Sequence, residues 1–335
     1  MALLRKLVGA LIIAASFGGG WILMDLQQYV RTPLPVEISQ SFTVAPGDNL
    51  ITVAETLRER GIVQHPRYLV WYARWQGDAD HIQAGEYVLE PGLTPAVLLE
   101  RLTQGGVAQY AVTIPEGWTF RQMLQALWRN DKLRPTLQGL DDEAIMARLG
   151  HPGEHPEGRF FPDTYIFTRD TTDAAILSRA YDAMARRLAR EWAQRAPGLP
   201  YKTPYEALIM ASIIEKETAI PEERAMIAGV FVRRLQRNMR LQTDPTVIYG
   251  LGEDFDGNLR RRDLKRDTPY NTYVRRGLPP TPIALPGADS LHAALHPAPG
   301  DALYFVARGD GSHYFSATIE EHNAAVRRYQ LNRGN

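Results

Sequence analysis

The stretch Phe42-Thr43-Val44-Ala45-Pro46-Gly47 runs into Leu50, Val53, Ala54 and Leu57, which share one helical stripe. It reads as a short β-prone run, a Pro-Gly turn and then an amphipathic helix. The same order recurs twice. Tyr87-Val88-Leu89-Glu90-Pro91-Gly92 leads into Ala96-Val97-Leu98-Leu99 and Leu102, and Val112-Thr113-Ile114-Pro115-Glu116-Gly117 leads into Met123, Leu124 and Leu127. A degenerate strand–turn–helix unit is thus repeated three times, and the front of the chain mixes α and β. Between the first two copies, Tyr68, Leu69, Tyr72 and Trp75 recur at helical spacing, a stripe that suits core packing.

Downstream of about residue 141 helical patterns dominate. Residues 172–195 place Ala175, Ile176, Ala180, Met184 and Leu188 at steps of three and four. A second helix is expected over 204–219. Pro221 suits the first position of a third, running through Ile227, Val230, Phe231 and Leu235 to about Met239. After Gln242 the chain turns rich in Pro, Gly and Tyr, with β-prone pieces at 303–307 and 313–315, and residues 320–331 close it as a helix. Helices followed by loops and short strands predict an α+β fold rather than a doubly wound sheet.

Upstream, Arg5 and Lys6 precede an uncharged run over 7–24. A helix needs about 20 apolar residues to cross the hydrocarbon layer, so this run just suffices. A cleaved signal peptide would end its apolar part at a small-x-small site, yet after Gly18-Gly19-Gly20 the apolar character resumes at Trp21-Ile22-Leu23-Met24. The reading favoured is an uncleaved anchor with Arg5 and Lys6 on the cytoplasmic side and the body outside. The expected organisation is a cytoplasmic tail at 1–6, an anchor at 7–24, an extended linker at 25–40, a small α+β domain at 41–108 and a larger α+β domain at 109–335.

Composition narrows the function classes. Of 335 residues, 44% are hydrophobic, and 38 Lys+Arg balance 38 Asp+Glu, so no global charge supports binding to nucleic acid. Cysteine is absent, which excludes disulfides, thiolate metal sites and cysteine nucleophiles. No His-Glu-x-x-His helix occurs, and His292 and His296 lie four apart just before Pro297 with no further ligand at a telling spacing. No metal or cofactor is expected. Gly309-Asp310-Gly311-Ser312-His313 has the wrong order for a nucleophile elbow, and Gly250-Leu251-Gly252 lacks the third glycine of a dinucleotide loop. The basic run Arg260-Arg261-Arg262 with Lys265-Arg266 suits a solvated face or contact with an anionic polymer.

The chemistry-bearing stretch is Ala211-Ser212-Ile213-Ile214-Glu215-Lys216-Glu217-Thr218. At 100° per residue, Ala207, Met210, Ile213 and Ile214 form one stripe, and Glu217 falls inside it. Glu215 lies on the other side beside Ala211 and Ser212, and Lys216 projects outward. A carboxyl held among apolar groups is desolvated and its pKa rises, as a general acid near neutral pH requires. The same position also suits a frayed helix end that meets water, and periodicity leaves both open. Three further stretches set carboxylates or short polar groups in unusual surroundings, two of them beside aromatic rings. They are 157–165, with Asp163 and Tyr165; 241–247, with Gln242, Thr243 and Asp244; and 268–273, with Tyr270 and Asn271. Such surfaces suit a sugar, although turn chemistry explains the Pro, Asn and Asp residues equally.

Together these residues resemble the MltG/YceG-like family of endolytic murein transglycosylases. The likeness covers nearly the whole chain and is densest over 211–218, 239–250, 270–272, 277–280 and 286–291. It is most specific at Arg240-Leu241-Gln242-Thr243-Asp244-Pro245-Thr246-Val247-Ile248-Tyr249-Gly250. The resemblance implies that Glu217 is the catalytic acid/base of a lytic transglycosylase acting inside nascent peptidoglycan strands and leaving 1,6-anhydro-N-acetylmuramic acid ends. On that mechanism Gln242, Tyr270 and Asn271 are expected to orient the glycan or the charged transition state, and Thr243, Asp244, Asp163 and Tyr165 are further candidate substrate-binding residues beside what the resemblance carries. The resemblance also implies peptidoglycan synthases of the elongation machinery as partners, and a single-pass protein of the inner membrane with a periplasmic catalytic domain. The repeat around Val44, Pro46-Gly47-Asp48, Leu50 and Val53-Ala54 resembles the start of a LysM-like module, which binds polymers of N-acetylglucosamine type; a ligand-free spacer domain fits the same residues. Two alternatives stay open: a muramidase using Asp163 or Asp244 as second carboxylate, and a non-catalytic glycan-binding scaffold.

Overall fold

A computed structural model describes residues 2–331, which divide into two compact units: the residues up to Tyr110 with Ile166–Asp170, and Ala111–Tyr165 with those from Thr171 onward. The fold is mixed α+β.

The first unit opens with helix α1 (Ala2–Arg31). From Leu4 onward this helix is long and apolar enough to cross a membrane, and Leu11, Phe17 and Trp21 are exposed on it. It continues past the expected end of the anchor: residues 25–31, expected to be extended, are helical. The reason is local. Leu26 and Val30 are buried, and the Tyr68 hydroxyl donates to Asp25 Oδ2 at 2.7 Å, so this last part has packing and a polar tie to hold it.

Strand β1 (Gln40–Val44) then leads to α2 (Leu50–Glu59) and α3 (Pro66–Gln76), and β2 (Gly85–Leu89) leads to α4 (Pro95–Gln104). β1 and β2 pair antiparallel, with Phe42 opposite Tyr87 and Val44 opposite Gly85. Phe42, Tyr87, Leu57, Leu69, Leu98 and Leu102 fill the core between this hairpin-like pair and the helices. Asn49 and Thr94 cap α2 and α4 by accepting from the backbone three residues on, which places each helix start just after its turn.

β3 (Gln109–Thr113) and α5 (Phe120–Arg129) form the third copy, with α6 (Asp142–Arg148) after it. β3 pairs with β4 (Thr164–Thr168), and the chain passes between the two units within these strands. In each copy the turn glycine has a positive φ: 92° at Gly47, 85° at Gly92 and 75° at Gly117. A side chain there would be strained, which explains the repeated Gly.

The second unit is built around one helix. α7 (Asp173–Ala193) precedes α8 (Pro204–Glu217), followed by α9 (Pro221–Gln236), α10 (Asp244–Leu251) and α11 (Ala288–Leu295). Pro204 opens α8 behind the Thr203 cap, and every residue from Ala207 to Ile214 is buried. α7, α9, α10 and α11 all contact α8, and a helix apolar on all sides belongs in such a place. The one polar side chain in that run, Ser212, is satisfied: its Oγ donates to Ile209 O at 2.7 Å and accepts from Ile283 N at 3.0 Å. Replacing Ile213 by Ala would open a cavity costing about 2–5 kcal/mol. β5 (Tyr304–Ala307) and β6 (His313–Ser316) pair antiparallel, with Ala307 opposite His313. α12 (Ile319–Val326), capped by Thr318 and Glu321, follows them.

Candidate active site

The site forms where α8 ends. Thr218 is extended, so the helix stops at Glu217, whose carboxyl meets the start of α10. Thr243, the residue before α10, donates its hydroxyl to Glu217 Oε1. Thr243 is held in turn: its N donates to Thr272 Oγ1 at 3.1 Å, and its carbonyl accepts from Thr246 Oγ1 at 2.8 Å. Oε2 of Glu217 has no hydrogen-bond partner among the described residues, and the side chain keeps a partly exposed surface. One oxygen is anchored and the other is available.

Burial is the largest influence on this carboxyl and lifts its pKa to about 7. The Asp244 charge pushes the same way. The Thr243 hydrogen bond and the charges of His313 and Arg234 pull back. Arg234 is a buried guanidinium whose Nε donates to Leu303 O at 2.6 Å and whose Nη1 donates to Leu241 O at 2.7 Å. It is therefore a fixed cation that cannot swing away. The balance leaves a group able to hold a proton near neutrality and to carry charge once the proton has gone.

The two residues that precede Glu217 have other partners. Glu215 is turned aside: its Oε2 accepts from Gly287 N at 2.9 Å. Exposed Lys216 donates to Gly117 O at 3.1 Å. Ala211 and Ser212, read from the sequence as the far side of the helix, are both fully buried.

The candidate substrate-binding residues fall into two groups. Gln242 is exposed, with φ +53°, and Asp244 is exposed with its Oδ1 accepting from the Tyr273 hydroxyl at 2.6 Å. Tyr270 is partly buried, its hydroxyl 2.8 Å from Thr281 Oγ1 and its ring edge-on to Tyr249. Gln242 and Asp244 flank Thr243, the residue that bonds Glu217, whereas Tyr270 packs on Tyr249, whose hydroxyl bonds Glu157. Asn271 is only 1% exposed: its Nδ2 donates to the carbonyls of Asp263, Leu264 and Arg266, and its Oδ1 accepts from Tyr273 N. It holds the 263–273 loop and has no polar atom left for a ligand. Tyr165 is buried with its hydroxyl on Phe161 O at 2.6 Å, and exposed Asp163 accepts from Thr164 N. Among the described residues no hydrogen bond or ion pair links either of them to Glu217.

Sequence reasoning passed over two carboxyls. Glu157 is buried and raised to about 7, chiefly by burial; it accepts from Phe120 N at 3.0 Å and from the Tyr249 hydroxyl at 3.1 Å. It faces a cavity of about 830 Å³ that Phe120, Lys216, Pro245, Tyr249 and Ile283 also line. That cavity reaches the residue before Glu217 and the second residue after Thr243. Its volume lies within the ~300–1,000 Å³ usual for sites that enclose a small ligand. Glu223, the other, binds His313 Nδ1 at 2.7 Å. Neither could have been found by helical periodicity, because both partners are distant in sequence.

Glu191, His292 and His296 also converge, with candidate ligand atoms within 4.8 Å of one another. Glu191 is already bound to His292 at 3.1 Å, and His296 Nε2 lies 2.8 Å from Gln194 O, so the pair has protein partners that account for it. In the basic run, Arg260 pairs with Asp256 and Arg266 with Asp254, which accounts for those charges locally.

The model of the YceG-like family matches residues 42–328. An endolytic murein transglycosylase of Bacillus subtilis is 32% identical over 340 positions, covering 95% of this chain and 91% of the relative. One of Streptococcus pneumoniae is 28% identical over 359 positions, covering 94% of this chain and 63% of its own length. A crystal structure of a YceG-like protein from Listeria monocytogenes is 31% identical and superimposes with a TM-score of 0.56, covering 86% of this chain and 99% of that one.

Proposed function

The chain belongs to the YceG-like family, and from that membership we propose that it is an anchored endolytic lytic transglycosylase of peptidoglycan. Glu217 is the acid/base. Protonated, it donates to the oxygen linking N-acetylmuramic acid to the next N-acetylglucosamine as an oxocarbenium-like centre develops. The C6 hydroxyl of the same muramic unit then attacks C1, and the ionised Glu217 recovers a proton, leaving a 1,6-anhydro end. Cutting inside nascent strands in this way would terminate their elongation. One observation carries this reading: a single carboxyl, anchored through one oxygen with the other free, is poised near neutral pH by opposing burial and charge.

Gln242 and Asp244, on either side of Thr243, bind the glycan together with Tyr270, while Thr243 fixes Glu217. The first unit, with its strand–turn–helix pair, acts as a LysM-like module on the same polymer. α1 anchors the protein in the inner membrane, with its N-terminus cytoplasmic and the catalytic unit periplasmic, beside the synthases that supply the strands. The test is digestion of uncrosslinked peptidoglycan by the wild type and by Glu217→Gln, read by mass spectrometry. Anhydro ends from the wild type alone are expected. Reducing ends would instead mean hydrolysis, with Asp244, whose charge Glu217 feels, as the second carboxylate.

A further inference from the structure

Glu223 lies in the first turn of α9, is 8% exposed and is fully engaged. Its Oε1 accepts from His313 N at 2.8 Å; its Oε2 accepts from His313 Nδ1 at 2.7 Å and from Thr218 Oγ1 at 3.4 Å. Thr218 follows Glu217 directly, and its Oγ1 also accepts from Ile220 N at 3.0 Å. The same turn that ends α8 therefore carries the acid and touches the dyad. A carboxylate at Nδ1 requires the proton on that nitrogen and leaves a lone pair on Nε2. Nε2 has no partner among the described residues, while Phe305 stands edge-on to the ring at 5.4 Å and keeps it from turning. A carboxylate-oriented imidazole with one basic nitrogen free is the arrangement that general-base chemistry uses.

We propose that His313 is a second catalytic residue: its Nε2 receives the proton of the attacking hydroxyl and returns it to Glu217. The inference rests on the transglycosylase reading above and divides its proton traffic between two groups. As the C1–oxygen bond breaks, Glu217 gives its proton to the leaving oxygen. As the C6 oxygen bonds to C1, its proton passes to Nε2. The imidazolium then protonates the Glu217 carboxylate, and both groups regain their starting states. His313 is near enough to Glu217 for a proton gained on the imidazole to act on that carboxylate, as such a return requires.

A dyad that merely locked α9 to β6 would need only the Nδ1 and backbone bonds. His313→Asn separates the two roles, since the asparagine amide can still donate to Glu223 but offers no basic atom. Kinetics on uncrosslinked strands should show kcat reduced about 100-fold, within the usual range for loss of a general base, with KM within about twofold of wild type. His313→Ala should regain part of its kcat with added imidazole, and Glu217→Gln should not. Wild-type kcat in His313→Asn, or a loss confined to KM and insensitive to imidazole, overturns this inference alone. A wild-type digest without anhydro ends overturns it together with the reading it rests on. Thermal melts of both variants report the fold; should Ala unfold, the Asn kinetics decide.

Discussion

Each unit draws a glutamate at least partly out of water, and the two have been driven in opposite directions. In the first unit Glu86 is 3% exposed, yet the hydrogen bond from Arg169 holds its pKa at about 2 against the effect of burial, with Tyr110 helping. In the second unit burial lifts Glu217 to about 7, and the nearby cation, Arg234, is fastened to carbonyls and offsets that only through its charge. Burial alone does not make a catalytic acid. The difference lies in whether a guanidinium bonds the carboxylate directly, fixing it as a charge, or stands apart and leaves it able to take a proton.

Exchanging the two situations gives the strongest test. Glu217→Gln should lower strand cleavage at least about 1,000-fold, because in the proposed mechanism Glu217 supplies the first proton. The same change should leave the melting temperature equal or higher at pH 8, since it removes a carboxylate that burial penalises. Arg169→Met should act the other way, stranding the Glu86 charge at a cost of about 2–4 kcal/mol with kcat unchanged. Melting and kinetics measured on one preparation of each variant would show this inversion. A Glu217→Gln protein that keeps its cleavage rate would end the comparison.

The pH dependence of stability has opposite signs at the two sites. Glu86, depressed in the folded state, contributes stability that is full above its ordinary value near 4.5 and is lost as pH falls toward about 2, on the order of 3 kcal/mol. Glu217, raised in the folded state, contributes stability that is full below about 4.5 and is lost as pH rises toward about 7. Urea unfolding between pH 2 and 8 should show Glu86→Gln flattening only the acid side and Glu217→Gln only the 4.5–7 interval. A reversed slope at either would show that the carboxyl's neighbours have been misjudged.

Much of this fold is legible in the chain because it is locally encoded. The repeated Pro-Gly and Glu-Gly turns before apolar stripes announce β1–α2, β2–α4 and β3–α5, and Pro204 and Pro221 mark the starts of α8 and α9. Periodicity also puts Glu217 among apolar neighbours. It fails at Ala211 and Ser212, since only distant segments such as 283–285 can bury that side of the helix. It fails at α10 too, where Asp244-Pro245 reads as a turn but serves as a helix start. Asn271 looks like a ligand for sugar hydroxyls until its loop is seen closing around it. The bonds that define the site, from Glu217 to Thr243 and from Glu223 to His313, join segments whose meeting no local pattern records.

The smallest effect expected is the most discriminating about how Glu217 is tuned. Its donor Thr243 favours the ionised carboxylate, so Thr243→Val should raise the Glu217 pKa further. Because the protonated form donates, the alkaline fall in kcat should then move to higher pH, by up to about one unit. Below that limb kcat should drop about tenfold, since Oε1 loses its anchor and the carboxyl is no longer held toward the substrate. Thr243→Ser should restore both features, because it returns the hydroxyl and removes only a methyl group. A limb that moves to lower pH in the valine variant would mean that Thr243 stabilises the protonated acid instead, and that burial and fixed charge alone set the poise separating Glu217 from Glu86.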